Sequence, residues 1–246
     1  MPEPYARNFL YSVLCRIDFP VILRLERERP ASFQEKVRDR FPKTNEYAVY
    51  ETQFKPGITP SARMEEPFLQ WEFFTRDGVR KITMQRNFLS LEDRAYKDFQ
   101  TFKENLRSAF EAFVELYSPP VITRLGLRYQ NLIKVAEGSA LDWKGFLVDP
   151  LIAHLQFQHG GKWLQDKHEI RLKTDVGHVT LRYGVHNPNS PAPIQDRQFM
   201  LDIDCYIRDD LEPGEVLTKL CDLNADAVDM FERSIGDSWR NMMREG

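Results

Sequence analysis

An α+β fold, with antiparallel sheets covered by long amphipathic helices, is predicted by two periods that run along the chain. Several segments alternate apolar and polar residues as half-buried strands do, and two long segments repeat apolar residues at three and four, as helices lying on a sheet do. The dipeptide Asp77-Gly78 between two alternating runs marks a tight hairpin and hence antiparallel pairing.

Residues 10 to 19 alternate, with Tyr11, Val13, Cys15, Ile17 and Phe19 on one side and Ser12, Arg16 and Asp18 on the other, as in a strand with one buried face. Ser32 and Glu35 have capping-box spacing at the start of a short helix carrying Phe33, Val37 and Phe41, which Pro42 ends. Strands are predicted at 46–54, 68–76 and 79–85. A second capping box, Ser90 with Asp93, opens the clearest helix, 91–117. Its apolar stripe is Ala95, Phe99, Phe102, Leu106, Phe110, Phe113 and Tyr117, and Pro119 and Pro120 terminate it. A stripe of this kind is expected to pack on a sheet rather than line a ligand cavity.

From 121 to 135 a long strand turns Val121, Leu125, Leu127, Tyr129, Ile133 and Val135 one way and Arg124, Arg128, Gln130 and Lys134 the other. Residues 138–150 are irregular, and 151–157 form an ambiguous apolar run that Gly160-Gly161 breaks. Two strands flank Asp175, Val176 and Gly177. Ile170 and Leu172 supply the inward side of the first, and Val179, Leu181, Tyr183 and Val185 that of the second. Beyond a proline-rich loop, Phe199, Leu201, Ile203, Cys205 and Ile207 alternate with Gln198, Asp202, Asp204, Tyr206 and Arg208. A closing helix spans 213–243, with Leu217, Leu220, Ala227, Phe231, Ile235 and Trp239 as its stripe; Asn224 and Gly236 weaken its continuity. The order of elements in 1–118 is similar to that in 119–246. The expected organisation is therefore an N-terminal and a C-terminal sheet-and-helix half packed as one compact unit; the shared order fits a structural duplication or two separate solutions to covering a sheet, and the sequences of the halves do not visibly repeat.

The 246 residues are 42% apolar, enough to bury roughly three-quarters of the extended surface. A formal net charge of −3 gives no global reason to bind polyanions or membranes. Acidic residues outnumber basic ones after residue 195, which argues against a nucleic-acid surface there. Three widely separated cysteines fit neither a disulfide framework nor a paired zinc ligand set, and point to a reducing, cytoplasmic setting. No signal-peptide pattern opens the chain, and no apolar run is long enough to span a membrane. Phosphate-loop, dinucleotide-fingerprint, His-Glu-x-x-His and nucleophile-elbow motifs are all absent.

The segment Arg124-Leu-Gly-Leu-Arg128-Tyr129-Gln-Asn131, with the Asp202 and Asp204 strand and the closing helix, resembles a sporadically distributed family of uncharacterised prokaryotic proteins of about 250 residues. The resemblance implies a bacterial cytoplasmic protein; it carries over no activity, and Arg124, Gly126, Arg128, Tyr129 and Asn131 are the residues that match.

Candidate binding residues are therefore Arg124, Arg128, Tyr129, Asn131, Asp202 and Asp204. Asp202 and Asp204 stand about 7 Å apart on one strand face. That spacing suits a divalent cation or a shared acid and base role, but any solvated strand face produces it, and ion pairs to Arg124 and Arg128 are the expectation. Arg124 and Arg128, about 13 Å apart, suit successive phosphates or an acidic partner better than one carboxylate. Most aromatic residues lie on the buried phases, where they cannot stack on bases. His178 and His186 are too distant to share an ion. His154 and His159 are brought closer by the adjacent glycines, but no third or fourth ligand is identified.

The function expected from these patterns is non-catalytic. It is protein binding or self-association as a homodimer through a charged sheet-and-helix surface, with no cofactor and no metal. The alternatives are a metal-dependent hydrolase or phosphoryl-transfer enzyme using Asp202, Asp204 and an arginine electrophile, and a nucleic-acid-binding protein.

Overall fold

The computed structural model describes residues 5–50, 52–55, 61–64, 67–157 and 160–245. The fold is mixed α+β, a multi-stranded antiparallel sheet contacted by helices. Contacts divide the chain into two compact units, one formed by Leu14–Leu125 with Arg208–Leu217 and the other by Met1–Val13, Gly126–Ile207 and Thr218–Gly246.

The first unit contains most of β1 (Leu10–Asp18), then α1 (Leu23–Arg27), α2 (Ala31–Val37), β2 (Lys43–Val49), β3 (Thr52–Lys55), β4 (Ser61–Met64), β5 (Phe68–Phe74), β6 (Arg80–Gln85), β7 (Phe88–Asp93) and α3 (Phe99–Tyr117). The strand order is β2-β5-β6-β7-β1, while β3 and β4 pair separately. The α3 stripe buries Phe102, Leu106, Phe110 and Phe113. Phe113 meets Phe19 at 4.7 Å between ring centroids, and Phe33 of α2 meets Phe73 of β5 at 5.2 Å.

The second unit contains nearly all of β8 (Arg124–Lys134), then α4 (Asp149–Ile152), a 3-10 turn (Ala153–Gln156), β9 (His168–Lys173), β10 (His178–Val185), β11 (Gln198–Ile207), most of α5 (Val216–Ser234) and α6 (Asp237–Arg244). Its strand order is β8-β11-β10-β9, with β10 antiparallel to both neighbours. Helix α5 is tied to the sheet by Tyr129 Oη donating to Asn224 Oδ1 at 2.7 Å, over a core that includes Leu127, Leu201, Leu220 and Leu223.

Several boundaries depart from the sequence expectation for physical reasons. Helix α2 begins after Pro30, with no side-chain cap, so Ser32 lies inside it. Proline's fixed φ suits a helix start without a capping box. Ser90 and Asp93 do not cap a helix either; they lie in β7, where Asp93 is opposite Arg80 and bonded to it at 2.8 Å. The cap of α3 is Asp98, whose carboxylate accepts from Thr101 N–H at 2.7 Å. The ambiguous run after residue 150 is helical, forming α4 and the 3-10 turn. Ile170 and Leu172 are 37% and 42% exposed, because β9 is the end strand and a side chain there has a neighbouring strand on one side only. The closing helix breaks before α6 at Gly236, where a Cβ would lie 2.2 Å from the Gly145 carbonyl. Among the described residues no helix is long and apolar enough to cross a membrane.

Hydrogen bonds from Thr101 hold the Asp98 carboxyl below its ordinary value. A depressed folded pKa contributes stability that is complete above the unfolded value of about 3.9 and lost as pH falls through the lower folded value. Asp98→Ala is expected to cost about 1 kcal/mol at neutral pH. In urea titrations its difference from the unsubstituted protein should shrink towards zero in acid.

Candidate metal centre

Antiparallel pairing sets His168 opposite Tyr183 and Glu169 opposite Arg182. Carried two residues further, the same register would set Asp166 opposite Val185. The chain departs from the ladder at this point. The Asp166 carbonyl lies over Gly184, where a Cβ would come within 2.2 Å of it, and Gly184 has a φ of +154° that few side-chain-bearing residues adopt. The Asp166 side chain takes over the missing ladder bond, Oδ2 accepting from Val185 N–H at 2.9 Å.

That bond leaves Oδ1 facing two imidazoles. His154 Nε2 lies 2.8 Å from it and His168 Nε2 2.7 Å. The 3-10 turn after α4 delivers His154, whose ring has the edge of Trp163 against it at 6.3 Å. His168 is stacked on Tyr183 at 5.1 Å, and the two imidazole centroids are 4.1 Å apart. One ligand atom from each of the three residues lies within 4.8 Å of the others. The Asp166 side chain is 1% exposed, whereas those of His154 and His168 are 27% and 35% exposed. A buried anion is therefore rimmed by two imidazoles that reach solvent. Burial first, then the charge of Asp166, pushes the Tyr183 phenol above its ordinary value.

Asp166 and His168 border a groove of about 600 Å³ over the ends of β9 and β10. Alternation sends His168 and Arg182 to opposite strand faces, yet both line the groove, as do Arg128, Tyr183, Met200 and Asp202. Along its floor runs a chain of charges. Arg182 Nε donates to Glu169 Oε2 at 2.8 Å, Arg182 Nη1 stands 3.9 Å from Asp202 Oδ2, and Arg128 grips Asp202 through Nε and Nη2 at 2.7 and 2.5 Å. These hydrogen bonds to Asp202 hold Arg128 still more firmly protonated than an ordinary guanidinium.

No family model matches the chain, and neither a curated protein nor a solved structure matches it significantly. The chemistry of the site therefore rests on its own residues.

Of the residues singled out from sequence, Arg128 and Asp202 reach the groove as a bonded pair. Asp204 is not among the residues that line it, although its charge acts on Arg128. Arg124 lies 3.7 Å from Asp18. Tyr129 and Asn131 are buried, Tyr129 bonded to Asn224 and Asn131 donating to the Leu201 carbonyl at 3.3 Å. His159 lies outside the described residues. Sequence reading passed over Asp166 and His168. The available signal was their one-residue separation next to a strand, twelve residues after His154. Burial pushes the Cys205 thiol up to about 12, with Asp226 and Asp204 adding to the effect, which leaves it a poor nucleophile.

Arg128→Ala would remove both hydrogen bonds to the Asp202 carboxylate, whose side chain is 6% exposed, and leave it Arg182 at 3.9 Å. A loss of about 3 kcal/mol is expected in chemical denaturation. The double replacement Arg128→Met with Asp202→Leu should recover most of that loss.

Proposed function

We propose that the chain is a metal-dependent enzyme of hydrolytic or phosphoryl-transfer chemistry, with His154, Asp166 and His168 holding one divalent cation. The observation that carries this reading is the meeting of two partly exposed imidazoles at one buried carboxylate, with Asp166 and His168 bordering a groove. Two nitrogens and one oxygen suit zinc, manganese or ferrous iron. Structural zinc sites close with four protein ligands, whereas three leave a position for water or substrate.

The separations of 2.7 and 2.8 Å are hydrogen bonds. Ligands placed about 2.0–2.1 Å from a tetrahedral ion lie roughly 3.3 Å apart, so occupancy requires each contact to open by about half an ångström. Val185 N–H fixes the second oxygen of Asp166 and so sets the direction of the first, the outer-shell support that metal carboxylates commonly have. A cation held there would acidify a bound water and polarise an ester, amide or phosphoryl oxygen. Within the chain, Asp166 balances positive charge, the two imidazoles orient the donor set, and Tyr183 holds His168 in its rotamer by stacking.

Protein dialysed against chelator and then titrated with zinc or manganese should take up one ion per chain. His168→Ala should weaken that uptake by about 100-fold, and metal-dependent turnover of generic phosphate or carboxylate ester probes should disappear with it. Failure of the unsubstituted protein to bind either ion tighter than His168→Ala does would end this reading.

A second reading, protein binding or self-association, is supported by the apolar pair Ile170 and Leu172 exposed on end strand β9. Such edges recruit further strands. It predicts a concentration-dependent dimer in sedimentation that Leu172→Lys dissociates. A monomer at every concentration would count against self-association.

A further inference from the structure

We propose that Arg128 and Arg182 form an oxyanion-binding clamp in the groove, and that it receives a phosphate or carboxylate group of the substrate.

The clamp begins with Asp202. Its side chain is 6% exposed, and both guanidiniums converge on one of its oxygens, Arg128 Nη2 at 2.5 Å and Arg182 Nη1 at 3.9 Å from Oδ2. Those two nitrogens, both turned to Asp202, are therefore no more than 6.4 Å apart. Guanidiniums this close can share one phosphate or carboxylate through nitrogens that Asp202 does not engage, since two charge-assisted bonds of about 2.8 Å to one oxyanion span roughly 5–8 Å. Asp202 engages Nε and Nη2 of Arg128, which fixes the plane of the guanidinium. The other edge includes Nη1, and about a third of the side chain is exposed in the groove. Arg182 is anchored at Nε by Glu169, with 38% of its side chain exposed. Asp202 and Glu169 are thus positioning residues. Arginines fixed by carboxylates behind them lose little freedom on meeting an anion, which favours binding.

The assignment of that group to a substrate rests on the metal-centre reading. The clamp itself does not.

The probes are inorganic phosphate and acetate, each titrated calorimetrically at low salt into metal-stripped full-length protein. Phosphate is expected to bind the unsubstituted protein in the millimolar range. Arg182→Gln should weaken it about tenfold and His168→Ala by less than about twofold. Arg182→Gln is the first variant because Glu169 is well exposed and the buried Asp202 keeps its two bonds from Arg128; thermal melts check folding. Arg128→Lys, which keeps the charge beside Asp202 but loses the two-pronged bond, is the second, with a several-fold loss expected. Tighter phosphate than acetate would assign phosphoryl substrates and the reverse order carboxylates, either supporting the clamp. No saturable binding of either anion, or equal affinity in Arg182→Gln, would overturn it. Anion binding without metal uptake would keep the clamp and remove the metal centre. Metal uptake without anion binding would do the opposite.

Discussion

A carboxylate almost wholly withdrawn from water must have each oxygen engaged, and Asp166 meets that demand through three separate pieces of the chain. One oxygen takes the Val185 amide that β9 would have satisfied had it continued, and the other takes two imidazoles. The end of the β9–β10 ladder, the 3-10 turn after α4 and the ring of His168 meet at that carboxylate. Gly184 is the backbone condition for it, because any larger residue would push the Asp166 main chain away.

The polar face of the same unit is organised by a second buried carboxylate. Asp202 is buried on the face turned away from Leu201 and Ile203, and the guanidinium of Arg128 makes that burial tolerable. Because Arg182 and Glu169 extend the charge chain across β10 to β9, the groove floor carries oriented donors with little net charge of its own. Selection of a ligand there depends on geometry before it depends on field strength. The two carboxylates differ in chemistry: Asp166 faces nitrogen atoms able to bind a metal, whereas Asp202 faces donors that cannot.

The strand phases of β8 and β11 were legible because alternation is a local consequence of the pleat. Leu125, Leu127, Tyr129 and Ile133 are buried as their spacing requires, and so are Phe199, Leu201, Ile203 and Cys205. Helix α3 was legible in its stripe but not in its start, since Ser90 and Asp93 offer the same spacing to a strand pair that they offer to a cap. Long-range pairing with β6 settles the matter in favour of the strand. Asp166 could not be recognised by pattern. A lone aspartate before a strand is ordinarily solvated, and its importance comes from residues 154, 168 and 185 meeting it.

The amino-acid sequence by itself determined the α+β class, the inward phases of the central strands and the amphipathic face of α3, because each depends on periods shorter than two helical turns. Only the tertiary structure decided that Arg128 faces Asp202 while Arg124 lies beside Asp18. It alone exposed the apolar side of β9 and joined His154, Asp166 and His168. Those outcomes depend on which strand lies beside which and where a ladder stops, and such information resides in contacts between distant segments rather than in the local order of residues.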